Sequence, residues 1–473
     1  MPVILNPGHR IPHRVSDLAL FNPNFLNLHL STAHVNKNYH INDALFKPAV
    51  HHESFEKLWE TKWKAPCSMG IYPFMFGCIQ DFEPIAQAII EKGLKEPYNW
   101  DEYAQMFFPK AQELARIAEE AEKSGQKEKA SEYYLRSSAV YRIARFPAPR
   151  SEQQRLAWSN GKSAFYKGAA LLSTPIHQVR IPYTHAAGPH EASSSSSYIP
   201  ANFQLPTTTS PPPRRGLPLL VILTGLDGYR TELAVWQPVF AQKSCATLVL
   251  EIPGTGDSPA DPSDPTSPDR VLSSVLDWVD SHPQLDSKRV IVWGFSTGGY
   301  YSLRAAHTHS HRLLGAVSLG GGCHRMFDRT WLRHVNKLEY PFDLCDTLAY
   351  KFGYGTDVEN FTQEGQRRFS LVEDGTLNKA CCSTLVVNGN LDEIFPVEDL
   401  YFALGRSDGE MKKDGPVVRI EGKKNVVGYV VAGKKHMGEP ESFGVILSWV
   451  HELFGLDGRV EDHLRGLPSR MKY

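Results

Sequence analysis

The sequence predicts an α/β fold: a mostly parallel sheet covered by helices and preceded by a helical N-terminal domain. Three observations predict it. Beyond residue 216, short apolar runs alternate with amphipathic helical stretches, and such alternation implies a parallel sheet covered on both faces. One of those runs, Val290-Ile291-Val292-Trp293, leads through Gly294-Phe295-Ser296-Thr297-Gly298 into a helical stretch over 300–307. That order of strand, sharp turn and helix lifts a serine to the apex of the turn. Before residue 175 the clear periodicities are helical.

Taken in order, the first hundred residues are rich in aromatics but poor in period. Trp59, Trp63, Tyr72, Phe74, Phe76 and Phe82 read as the filling of a helical core, with a pocket for a flat or greasy substrate as the alternative. After Pro109, Leu114, Ile117, Ala118 and Ala121 share one helical face. Ala130, Tyr134, Ser137, Tyr141 and Ala144 continue the pattern on a second helix beyond Ser124-Gly125. Ser151 with Gln154 forms a capping box that opens a third helix running to Leu172. These helices delimit an N-terminal cap domain over 1–175, and the remaining 176–473 form the catalytic domain.

The alternating run 177–183 reads as a strand. From about 186 to 216 the chain carries a run of five serines, a run of three threonines and a run of three prolines, a composition that predicts a disordered insertion. Strands follow at 219–223, 246–252, 290–293 and 314–319, with an amphipathic helix over 271–279. The stretch 323–379 reads as an excursion of helices and loops above the sheet. Strands at 384–388 and 426–432 and a closing helix over 443–454 complete the domain.

Composition bounds the function. The chain has 473 residues and a net charge of -1, so no whole-chain field draws in nucleic acid or an anionic membrane. Its seven cysteines lack any CxxC spacing and read as reduced thiols, which places the protein in the cytoplasm. Residues 1–14 lack the apolar segment of a secretory signal, and no stretch approaches the roughly 20 apolar residues of a membrane span. The oligomeric state is open, a homodimer included.

A G-x-S-x-G match alone is weak, since residue frequencies alone give one in roughly every six or seven chains of this size. Its context carries the argument. A serine hydroxyl needs a base within hydrogen-bond reach and a third group to orient that base, and at a strand-to-helix elbow the partners follow in the order acid, then His. Asp392, just past the strand ending at Asn388, is the candidate acid, with Glu393, Glu398 and Asp399 as competitors. His436 is the candidate base; His334 lies in the excursion, His451 in a helix and His463 in the tail. The catalytic set is therefore Ser296, Asp392 and His436. Backbone N–H groups of Thr297 and of Leu226 or Asp227, in the turn Thr224-Gly225-Leu226-Asp227-Gly228, are the candidate oxyanion donors. His307, His309 and His311 read as a solvated face rather than a zinc site. The loop 251–258 lacks the Gly-Lys-Ser/Thr ending of a phosphate cradle. No cofactor and no metal are expected.

Gly225-Leu226-Asp227-Gly228-Tyr229-Arg230-Thr231-Glu232, Pro253-Gly254-Thr255-Gly256-Asp257-Ser258, the elbow, Asp392 with Pro396, and Lys435-His436-Met437 together resemble the FrsA-like group of α/β-hydrolases. The helical stretch 133–147 with Trp158 also matches. Within that group the sequence is most similar to fungal yellowish-green pigment hydrolases that shorten polyketides, and more distantly to bacterial dihydroxypseudooxynicotine hydrolase. The resemblance implies a serine hydrolase of fungal secondary metabolism, in pigment or toxin biosynthesis. It implies cleavage of a polyketide carbon-carbon bond beside a ketone, with an ester, thioester or lactone as the alternative bond. A non-catalytic binding protein on the same fold is the reading from another class. Two segments depart from the group: 186–216, and a Lys/Gly-rich stretch over 407–425 that lengthens the connection from Asp392 to His436.

Overall fold

The computed structural model describes residues 48–191, 198–206, 216–405 and 417–456. Its sheet contains β1 (His177–Pro182), β2 (Tyr198–Gln204), β3 (Leu217–Leu223), β4 (Ala246–Leu250), β5 (Leu285–Phe295), β6 (Gly315–Leu319), β7 (Ser383–Gly389), β8 (Val417–Glu421) and β9 (Val426–Val431). They lie in the order β1-β2-β4-β3-β5-β6-β7-β9-β8. The pairs from β4 through β9 are parallel. The pairs β1 with β2, β2 with β4, and β8 with β9 are antiparallel.

Side chains alternate across these strands, so each strand feeds two cores. Leu220, Ile222, Ile291, Trp293, Val317 and Val387 pack under the helix Glu441–Phe454 and the short helix Gln237–Ala241. Leu219, Val221, Val290, Val292, Ala316 and Val386 face the helices Ser267–Ser281 and Thr297–Thr308 on the other side. The crossovers bring the C-terminal ends of β3, β5, β7 and β9 to one edge of the sheet.

Helices occupy the chain before β1. Phe108–Lys123, Lys127–Arg145 and Glu152–Ala170 form the main layer, the last opened by the Ser151/Gln154 capping box. Aromatic rings join this layer to the excursion between β6 and β7. Phe342 sits edge-on to Trp63 and Trp100, with ring centroids 5.6 and 5.3 Å apart. Trp59, Phe74 and Phe82 are core residues, whereas Trp63 and Tyr72 also reach a cavity.

Two expectations require correction, and one departing segment gains a strand. The segment 186–216 is not structureless throughout: β2 lies inside it, with every residue but Tyr198 buried, and so does the helical turn Gly188–Glu191. Ile199, Ala201 and Phe203 supply the apolar surface that the serine and threonine runs lack, and Glu191 is held by Arg270 at 2.7 Å. The serine run at 193–197 and the threonine and proline runs at 207–213 lie outside the described residues. The Lys/Gly-rich segment contributes the edge strand β8, pinned by antiparallel pairing with β9. Two of the three clustered histidines are not solvated. His307 is buried and donates from Nδ1 to the Lys379 carbonyl at 2.8 Å, and buried His309 bonds Ser273 at 3.0 Å. Burial pushes both imidazoles down to about 4.

Candidate active site

Ser296 closes β5 and opens the helix Thr297–Thr308, with φ 53° and ψ −121°. Few non-glycine residues occupy that region, and a serine held there projects from the apex of its turn. The flanking glycines make the turn sterically feasible. A Cβ on Gly294 would stand 2.0 Å from the Gly298 carbonyl oxygen, and one on Gly298 would stand 2.4 Å from that of Thr224. The Ser296 N–H donates to Leu319 O at 2.7 Å, fixing the elbow to the end of β6.

The loops after β7 and β9 bring two more predicted residues to the serine. His436 Nε2 lies 2.8 Å from Ser296 Oγ, and His436 Nδ1 lies 2.8 Å from Asp392 Oδ2. An ionised carboxylate only accepts, so Nδ1 carries the proton and Nε2 is free to accept from the serine hydroxyl. Asp392 is fully buried and saturated. Its Oδ1 accepts from Ile394 N at 2.7 Å and Phe395 N at 3.0 Å, and its Oδ2 also accepts from Asn388 Nδ2 at 2.7 Å. The competing acids are committed elsewhere: Glu393 pairs with Lys435 at 2.6 Å, and Asp399 accepts backbone N–H groups of Cys323, His324, Arg325 and Met326.

Burial works against a charged His436, but Asp392, joined by Glu339 and Glu439, outweighs it and raises the imidazole above its ordinary value. Burial also raises Glu339, and it pushes Glu439 up to about 7. Lys62 is lowered by burial, against the pull of Glu339.

These groups share a cavity of about 290 Å³. Its walls are mainly apolar, from Trp63, Phe146, Trp236, Leu344, Phe395 and Phe443, while Ser296, Thr297, His436, Lys62, Glu339 and Glu439 supply polar groups. Thr297 occupies the first helical position, where a backbone N–H has no intrahelical acceptor. Leu226 and Asp227 face it from the loop after β3. That loop runs close to the elbow, because a Cβ on Gly225 would stand 3.6 Å from Ser296 Cβ. Five of the six predicted site residues, Ser296, Thr297, His436, Leu226 and Asp227, thus line one cavity, and the sixth, Asp392, lies buried behind His436. Glu339, Tyr340, Lys62 and Glu439 escaped sequence reasoning. Only Glu439, three residues past His436, had a signal, its nearness to a candidate base.

The sheet order, the elbow after β5 and the helices on both faces define an α/β-hydrolase. A family model described as "Esterase FrsA-like" matches residues 97–420, and the chain belongs to that family. It is 32% identical to Hydrolase acrC of Aspergillus aculeatus over 64% of this chain and 78% of that protein. It is 28% identical to Hydrolase LUC6 of a Fusarium species over 66% of this chain and 80% of that protein. The bacterial Esterase FrsA of Vibrio parahaemolyticus is 26% identical over 60% of this chain and 65% of its own length. Among solved structures, the 2,6-dihydroxy-pseudo-oxynicotine hydrolase shares the fold with a TM-score of 0.58 at 16% identity, covering 80% of this chain and 93% of that one.

Proposed function

We propose that this hydrolase uses Ser296 as nucleophile, His436 as general base and acid, and Asp392 to orient His436. In this reading it cleaves a carbon-carbon bond of a polyketide 1,3-diketone by retro-Claisen hydrolysis in fungal secondary metabolism. The observation that carries the reading is the hydrogen-bonded line from Ser296 through His436 to Asp392, opening on an apolar, ring-lined cavity. His436 takes the Ser296 proton as Oγ attacks one carbonyl, and the oxyanion is received by N–H groups of Thr297 and of Leu226 or Asp227. The intermediate collapses with cleavage of the bond to the α-carbon. The electron pair leaves as an enolate delocalised onto the second carbonyl, and His436 returns the proton to it. Water, deprotonated by His436, then releases the acyl group from Ser296. We read 1–175 as the covering domain and 176–473 as the catalytic one. All seven cysteines are free, which suits a cytoplasmic setting.

The same groups serve ester cleavage, and the family's description as esterase-like supports that second reading. The deciding experiment offers the purified protein an aromatic 1,3-diketone and a matched aryl ester, with mass spectrometry of the products and Ser296→Ala as control. Release of a short acid from the diketone, absent in the variant, is the expected outcome. Turnover of the ester alone would leave an esterase.

A further inference from the structure

The loop proposed to carry the second oxyanion donor is held by groups outside its own neighbourhood in sequence. Gly225 N–H closes a turn onto Gly228 O at 3.1 Å, but the loop's one charged side chain, Asp227, is only 7% exposed and points into two phenols. Tyr72 donates to Asp227 Oδ1 at 2.5 Å, and Tyr340 donates to Oδ2 at 2.8 Å. One phenol stands on the turn between the helices Lys64–Met69 and Ile79–Lys92 of the N-terminal helical region, the other in the excursion between β6 and β7.

Both phenols are themselves fixed. The Arg142 guanidinium lies 4.8 Å from the Tyr72 ring centroid and donates to the Pro73 carbonyl, while Tyr340 stacks on Phe146 with centroids 6.1 Å apart. Downstream, Glu232 accepts from Tyr229 N at 2.5 Å and from Arg145 at 2.8 Å, which ties the far end of the same loop to the helix Lys127–Arg145. Burial, reinforced by the Asp227 charge, raises both phenols well above their ordinary range, so each keeps its single proton for the carboxylate. A hydroxyl whose only proton is engaged in a hydrogen bond to Asp227 has none to donate to a substrate.

We propose that Tyr72 and Tyr340 are positioning residues: by clamping Asp227 they set the backbone N–H of the Leu226-Asp227 loop against the oxyanion. The N-terminal helical region and the excursion then complete the acyl-transfer site instead of merely covering it. This rests on Ser296 as the nucleophile. A donor displaced from the oxyanion costs transition-state stabilisation while leaving ground-state binding intact.

The test compares wild type, Tyr72→Phe, Tyr340→Phe and the double variant as full chains. Three quantities are read: turnover of p-nitrophenyl acetate, whose acyl group is too small to need the cavity walls; the rate of fluorophosphonate labelling; and affinity for an aryl trifluoromethyl ketone, which adds to a serine as an oxyanion. Each single variant should lose several-fold in kcat, because one phenol still holds the carboxylate. The double variant should lose about 10²-fold in kcat, in labelling rate and in ketone affinity together, with KM little changed. A folded double variant that labels and turns over at the wild-type rate overturns the clamp. So does a raised KM with unchanged kcat and ketone affinity, which marks the phenols as wall residues. If the double variant does not fold, Asp227→Asn asks the same question with a several-fold expected loss, and wild-type rates there also overturn the clamp. A wild type that no fluorophosphonate labels overturns the reading of Ser296, and the clamp with it.

Discussion

Two polar networks meet at the cavity, and they are built in different ways. Ser296, Asp392 and His436 all stand on loops that leave C-terminal ends of parallel strands, so the parallel pairing delivers them to one sheet edge whatever fills the surrounding space. Tyr72, Asp227 and Tyr340 come from the N-terminal helical region, the loop after β3 and the excursion, and only side-chain packing brings them together. The first network is a product of topology. The second is a product of fit, and fit is what a core mutation far from either network can disturb.

Experiments can break this contrast in order of expected size. Ser296→Ala should abolish fluorophosphonate labelling and lower turnover by roughly 10⁴-fold or more. Asp392→Asn should lower kcat by about 10³–10⁴-fold with little change in KM, since it favours the wrong tautomer of His436; steady-state kinetics would show it, and an unchanged kcat would shift the acid role elsewhere. Phe342→Ala removes a buried ring shared by the helical layer and the excursion, so it should cost about 3–5 kcal/mol in denaturant unfolding. In the fraction that remains folded, kcat should fall while the contact between His436 and Asp392 survives; its far-downfield proton resonance is the readout. Equal damage to both would erase the distinction between topology and fit.

The smallest effect concerns pH. His436 must be neutral to accept a proton, and its raised value displaces the rising limb of kcat/KM above the ordinary imidazole range. The Glu439 charge is one contributor to that rise. Glu439→Gln should therefore move the limb to lower pH. A limb that stays in place would mean that Asp392 and Glu339 set the value alone.

The same contrast explains what was legible in the sequence. β3, β6, β7 and β9 are largely apolar and β5 ends in the apolar run Val290-Ile291-Val292-Trp293, so their ends, and with them Ser296, Asp392 and His436, could be read in order. β2 is flanked by polar runs that dominate any composition window, and the burial of β8 is incomplete, which hides a short edge strand. The clamp left no trace: Asp227 lies 155 residues from Tyr72 and 113 from Tyr340, and the chain has 19 tyrosines without a pattern to single out two. His307 and His309 misled because a histidine-rich helix end looks polar, while here His307 packs beneath the loop before β7 and His309 against the helix Ser267–Ser281.

The backbone of Ser296 has a consequence for robustness. Its φ of 53° with ψ of −121° is a conformation that glycine adopts freely and any residue with a Cβ resists. Ser296→Gly and Ser296→Ala both lack the hydroxyl, yet the glycine variant should melt at the higher temperature, by the equivalent of about 1 kcal/mol, and could outlast the native protein under heat. Durability alone favours glycine at position 296, so under the proposed reading the strain held at Ser296 is the cost of placing a hydroxyl at the apex of the turn.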